Sequence, residues 1–289
     1  MGGTMEFIRK KAGGPDFERT QGLVAEWKGQ ALYLTFPSFT RTQAVAHLFS
    51  TRLGGVSEGI FSSMNLSYTR GDKKEAVDEN FRRIADILGS SPERFVCSDQ
   101  THTTNIRKVT EADCGKGVVI PKDYQDVDGL VTDRAGIVLA TFFADCVPLY
   151  FLDVRRRVIG LAHSGWRGTA GRIGKKMIDI MTADYGCKKE DIIAAIGPSI
   201  CADCYEVSED VAAQFEAEFG NTVLCAGKQS GKYQLDLWKA NEAVLLQAGL
   251  TPAQIEVTDI CTCCNPSLLF SHRASKGKRG NLGAFLMLK

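Results

Sequence analysis

Long apolar runs are missing from this 289-residue chain: none approaches the ~18 residues that a membrane-spanning helix needs. Its N-terminus, MGGTMEFIRKKAGG, also lacks the apolar core of a secretory signal, so the expectation is a soluble, cytoplasmic protein. Charge of one sign is missing as well. Thirty-five Lys and Arg face thirty-four Asp and Glu, for a net charge of +1. That leaves no basic footprint for nucleic acid and no polybasic patch for a membrane, and any cationic contact must be local. Neither GxGxxG nor GxxxxGK(S/T) occurs, which removes the common glycine-rich phosphate cradles. Histidine is scarce, with only His47, His102, His163 and His272.

Repeats, low-complexity tracts and long proline- or serine-rich linkers are absent too. Strand-like and helix-like stretches are intermixed without a regular βαβ alternation. The pattern predicts a single compact α+β domain over residues 31–289, mixed sheets flanked by helices, with a peripheral segment over residues 1–30 forming a hairpin or two. Helices are expected from Lys73 to Leu88, with Asp72 as N-cap and Gly89 as stop, and from Thr169 to Tyr185, Ser208 to Gly220 and Leu235 to Gly249.

Cysteine is abundant, at ten residues. Without a secretory signal, reduced thiols are the default reading. Cys201-x-x-Cys204 and Cys261-x-Cys263-Cys264 would bring four thiolates to a structural zinc site, but no glycine-rich knuckle accompanies either segment, and in the second only Cys261 and Cys264 have C-x-x-C spacing, which argues against one.

The stretch from Ala144 to Gly168, ADCVPLYFLDVRRRVIGLAHSGWRG, organises the rest. Three short apolar runs read as buried strands, one ending at Asp145-Cys146 and another delivering His163 into a turn bracketed by Gly165 and Gly168. A further histidine, His102, lies in SDQTHTTNI, a polar break between the strand-like runs RFVC and NIRKV. Singly, a cysteine or histidine at a strand end is more often a core residue than a ligand. Two imidazoles and one thiolate together are a good Zn²⁺ set that leaves a fourth position open, and a zinc ion there acts as a Lewis acid and activates water.

The segments QTH, ADCVPL and AHSGWRG resemble the signature of the YfiH/YlmD-like family, once labelled multicopper polyphenol oxidase or laccase-domain proteins. The resemblance extends to AHLFSTRLGGVSEGIFSSMNLS (Ala46 to Ser67), AAIGPSICADCYEV (Ala194 to Val207), YQLDLWKAN (Tyr233 to Asn241) and ICTCCNPSLLFSHR (Ile260 to Arg273). It implies a fold similar to the cytotoxic necrotising factor deamidases, with His102, Cys146 and His163 as metal ligands. It also implies chemistry on purine nucleosides: phosphorolysis of adenosine, inosine, guanosine and methylthioadenosine, and deamination of adenosine. The expected partners are these small molecules and phosphate, in a monomer or homodimer. Three positions depart from the family pattern: Thr103 follows the first ligand in place of glycine, Ala274 follows Arg273, and Asn281 follows Gly280.

Deamination needs a proton shuttle, and the H-x-E with P-C-x-x-C pattern of cytidine-type deaminases is absent; Asp145, beside Cys146, is the candidate, with a turn carboxylate as its other reading. Phosphorolysis needs an anion site, for which Arg167 and Arg52 are suitable forks. Asn65 is a candidate for a base or ribose contact, while Arg52 and Asn65 read equally well as loop-fixing residues. Two alternatives remain. His₂Cys also serves single-copper electron carriers, although four histidines exclude a multicopper oxidase, which needs about ten. Cys146 and His163 also suit a cysteine hydrolase, as nucleophile and base.

Overall fold

The computed structural model describes residues 6–10 and 22–289; the rest of the peripheral segment expected over residues 1–30 lies outside the described residues. Strand Val24–Lys28 and strand Ala31–Thr35 pair antiparallel around Gly29, whose φ of 60° suits the tight turn. They form one edge of a six-stranded sheet that continues through Val45–Ser50, Leu282–Leu288, Val138–Phe143 and Phe95–Cys97. A second six-stranded sheet runs Ile255–Val257, Ile192–Ile196, Val147–Asp153, Val158–Ser164, Gly129–Thr132 and Ile106–Lys108. Both sheets mix parallel and antiparallel pairs, in keeping with the expected α+β class.

Alternation along the strands stacks the layers. In Val147–Asp153, Leu149 and Phe151 face one core while Tyr150 and Leu152 face another, and Ile159 and Leu161 of the next strand join the second. That second core also takes Leu139, Phe143, Leu286 and Phe49 from the first sheet, so the two sheets pack face to face. Outside the first sheet lies helix Lys74–Leu88, with Val77, Phe81, Ile84 and Leu88 inward. Outside the second lie helices Ile173–Tyr185 and Leu237–Gln247. A small three-stranded sheet, Glu206–Ser208, Lys232–Leu235 and Leu224–Ala226, packs with helix Glu209–Phe219. Among the described residues no helix is long and apolar enough to cross a membrane.

Two local expectations are corrected. Lys73, not Asp72, is the N-cap of Lys74–Leu88, because the Asp72 carboxylate accepts from Asn65 Nδ2 and from the Lys73 amide, each at 2.9 Å. The helix expected from Thr169 to Tyr185 is two pieces, Trp166–Ala170 and Ile173–Tyr185, broken where Arg172 takes a φ of 59°. The short first piece lets the chain leave the His163 strand and turn sharply before the long helix packs on the sheet.

Candidate active site

The open end of the layer between the sheets is where strand Val138–Phe143 stops, Val147–Asp153 starts and Val158–Ser164 stops. His163, in phase with Ile159 and Leu161, points into this layer and contacts the Phe143 ring at 5.4 Å. Its Nδ1 lies 2.7 Å from Asp128 Oδ1, which leaves Nε2 for a ligand. The same Asp128 carboxylate accepts from the amides of Thr101 (3.1 Å), His102 (3.2 Å) and Thr103 (2.8 Å) and from Thr103 Oγ1 (3.0 Å). One fully buried carboxylate therefore fixes His163 directly and the His102 loop through its backbone, with His102 itself at φ 66°. Burial pushes the Asp128 carboxyl up, but His163 and these amides bring it below the usual range.

Cys146 is aimed by its neighbour. Asp145 has φ 95°, a conformation a non-glycine residue holds only when its surroundings enforce it. Thr262 Oγ1 donates to Oδ1 and the Arg273 amide to Oδ2, both at 2.7 Å, while the Ile200 amide donates to the Asp145 carbonyl at 3.0 Å. Each carboxylate oxygen accepts one of these bonds, which hold the turn that aims Cys146, and Asp145 also lines the cavity beside the cluster.

The three expected ligands meet. The Sγ of Cys146 is 3.9 Å from His102 Nε2, the two imidazoles stand edge to face at 5.0 Å, and the ligand atoms of all three lie within 4.8 Å of one another. Burial raises the Cys146 thiol, but the His163 imidazolium and the His102 contact outweigh it and bring it down to about 6. Burial likewise lowers His163, yet the Cys146 thiolate and Asp128 carry it up to about 9. Gly165 closes the cradle: a Cβ there falls 2.9 Å from His102 Cδ2 and 3.1 Å from Cys146 Sγ. Two imidazoles, a thiolate, an orienting carboxylate and a reserved space fit a borderline metal ion such as zinc.

The cluster opens on a cavity of about 970 Å³. Phe142, Val119 and Trp166 give it apolar walls, and Arg70, Arg167, Arg273 and Arg279 line it with cations. Arg167 stacks on Trp166, its Cζ 4.2 Å from the ring, and no hydrogen bond engages its guanidinium among the described residues. Arg273 is committed to the Cys204 and Glu206 carbonyls. Arg279 is buried, with its Nε lacking a partner among the described residues, and burial and Arg70 lower its pKa to about 10.

Arg52 and Asn65 do not reach the cavity. Arg52 donates to the Ser62 and Pro266 carbonyls, each at 2.8 Å, and lies over the Phe270 ring. Asn65 is fully buried and bonds Ser67, Asp72 and the Asn281 amide. Both fasten loops, the second of their two readings. Asp128 and Arg279 escaped the sequence reading because an aspartate before a strand and an arginine in a glycine-rich loop carry no distinguishing pattern. Asn241, inside YQLDLWKAN, binds Ser164 Oγ (2.8 Å) and Thr169 Oγ1 (3.1 Å), locking the turn after His163 to helix Leu237–Gln247.

Fold and site thus define a mixed-sheet α+β protein with a His₂Cys cluster on the floor of a large cavity. The chain belongs to the family described as multi-copper polyphenol oxidoreductase laccase, matched over residues 46–289, and to its YfiH/YlmD-like members. It is 39% identical over 246 residues to the purine nucleoside phosphorylase YlmD of Bacillus subtilis (strain 168), covering 83% of this chain and 87% of that protein. To the purine nucleoside phosphorylase YlmD of Geobacillus stearothermophilus it is 41% identical over 249 residues, covering 84% and 89%. It is also similar to the crystal structure of the Bacillus licheniformis hypothetical protein YfiH, with a TM-score of 0.86 and 36% identity over 92% of this chain and 99% of that one. The multi-copper part of the family description finds few imidazole donors here: besides His102 and His163, His47 is bonded to the Phe36 amide in the core, and His272 stands outside the cluster.

Proposed function

We propose that this protein cleaves purine nucleosides by phosphorolysis, acting on adenosine, inosine, guanosine and methylthioadenosine, and that it also deaminates adenosine. The observation that carries the reading is the meeting of His102, Cys146 and His163 below a cavity with apolar and cationic walls, in a chain whose relatives bear the phosphorylase name. His102, Cys146 and His163 would hold a zinc ion, which when bound supplies a Lewis acid beside the substrate. Phosphorolysis forms a bond from a phosphate oxygen to ribose C1′ and breaks the C1′–N9 bond; the purine leaves with the electron pair and gains a proton. The apolar wall with Trp166 suits the purine face, and Arg167, whose guanidinium no hydrogen bond engages among the described residues, is available for phosphate oxygens. Asp128 keeps His163 in one tautomer and orientation. Deamination instead forms a bond from a water oxygen to purine C6 and breaks the C6–N6 bond; ammonia leaves, taking up a proton that the water gives.

One observation favours a second reading. Cys146, His163 and Asp128 are also arranged as a nucleophile, a base and an orienting carboxylate, the order of a cysteine hydrolase. His102 beside the sulfur is the residue that such a triad does not require. The test is hypoxanthine release from inosine by tag-free protein, with and without inorganic phosphate, alongside metal analysis. Phosphate-dependent release that disappears in Cys146→Ala together with one zinc per chain is expected. Release indifferent to phosphate, or unchanged in Cys146→Ala, overturns the proposal, and a metal-free active protein with an alkylatable Cys146 points to the hydrolase.

A further inference from the structure

A second sulfur cluster stands behind the wall of the cavity. Parallel strands Ile192–Ile196 and Ile255–Val257 end side by side, and the pairing continues through a bridge between Ser199 and Cys261. Each strand then enters a C-x-x-C turn, Cys201 to Cys204 and Cys261 to Cys264. The four sulfurs all lie within 4.8 Å of one another, with Cys204 Sγ 3.5 Å from Cys264 Sγ. We infer that Cys201, Cys204, Cys261 and Cys264 hold a second zinc ion, structural in role, which clasps the two turns together.

The dimensions suit one ion. Zn–S bonds of about 2.3 Å at tetrahedral angles separate the sulfurs by about 3.8 Å. All four cysteines are free thiols, and the 3.5 Å pair is well beyond the ~2.05 Å of a disulfide. The four thiols come from chain segments about sixty residues apart and share the edge of one core, but core packing alone does not require all four sulfurs to converge on one centre, as a thiophilic ion does. The surroundings favour anionic sulfur. The Cys201 amide donates to Cys261 Sγ at 3.2 Å, and the Lys10 ammonium, paired with Asp203 at 3.0 Å, lies near Cys201 and Cys264.

The glycine whose absence counted against a knuckle is not needed. A single 3-10 turn, Ala202–Cys204, bends the first segment, and Cys263 is not one of the four converging cysteines. The clasp also bears on the cavity. Ile200 and Tyr205, at either end of the first turn, line it; the Cys204 carbonyl holds Arg273; and Thr262, inside the second turn, holds Asp145. All four cysteines are partly or fully buried, which sets a closed structural site apart from the open His₂Cys cluster.

The test is elemental analysis of full-length, tag-free protein purified without chelator, as wild type and as Cys146→Ala. Two zinc ions per chain in wild type and one retained in Cys146→Ala are expected. The retained ion should disappear in Cys146→Ala combined with Cys264→Ser, and Co²⁺ in its place should give the strong visible and near-ultraviolet bands of tetrahedral tetrathiolate cobalt. Cys146→Ala protein without metal, whether its four thiols are free or joined as disulfides by mass spectrometry, overturns the inference even if the combined variant fails to fold. One zinc in both wild type and Cys146→Ala would keep the clasp and remove the catalytic ion, so the two proposals fail separately.

Discussion

Nδ1 of His163 and Oδ1 of Asp128 are 2.7 Å apart in the fully buried layer between two sheets, and the same carboxylate gathers three amides of the loop that carries His102. Both imidazoles of the cluster thus depend on one acid. Asp128→Asn keeps the volume but turns one oxygen into a donor facing donors. Zinc affinity should fall roughly 10- to 100-fold, as when other orienting partners of metal ligands are removed, and turnover should follow it. Competition with a chromophoric chelator measures this, and unchanged affinity would reduce Asp128 to a fold residue.

Gly165→Ala separates space from backbone freedom. Gly165 has φ −71° and ψ −179°, open to any residue, but its new Cβ would press on His102 and Cys146. A displacement of a few tenths of an ångström in the ligands should cost on the order of 10-fold in kcat/KM, with the melting temperature little changed. A fully active variant would mean that the cradle has slack and does not define the ligand geometry.

Arg167→Met keeps an apolar stem on Trp166 and removes the fork. A charge-assisted phosphate contact of roughly 1.5 to 3 kcal/mol corresponds to a loss of one to two orders of magnitude in inosine phosphorolysis. Adenosine deamination, which has no phosphate in its transition state, should be comparatively spared. Equal loss of both activities would place Arg167 on the nucleoside or in support of the turn.

Acid should weaken the fold through His47. Burial against Phe36 and Phe39, with the charge of Lys289 adding to it, holds its pKa down to about 4. The folded value lies below the ordinary 6.5, so the unfolded chain binds the extra proton first. Stability is then full above about pH 6.5, falls as pH drops towards 4, and loses on the order of 3 kcal/mol in that window. Urea unfolding at pH 7.5, 6 and 4.5 should show this slope in the wild type and a shallower one in His47→Gln. Parallel slopes would assign the acid sensitivity to other groups.

Local pattern carried much of this protein. Short continuous apolar runs marked the strands around Cys146 and His163, the 3.6-residue period marked helix Lys74–Leu88, and the motif segments singled out His102, Cys146 and His163. These features are set by backbone geometry and by which face of an element is apolar, so they are written within a few turns of chain. Other features are decided only by pairings across the fold. Asp128 becomes the orienting acid because the strand it precedes, Gly129–Thr132, lies beside that of His163, and Arg52 becomes a loop clamp because the Ser62 and Pro266 carbonyls reach it. Each C-x-x-C turn read alone is half of a coordination shell. The parallel register of Ile192–Ile196 with Ile255–Val257 brings the halves together, and that register is set by the packing of both strands into one core, which no local stretch of sequence records.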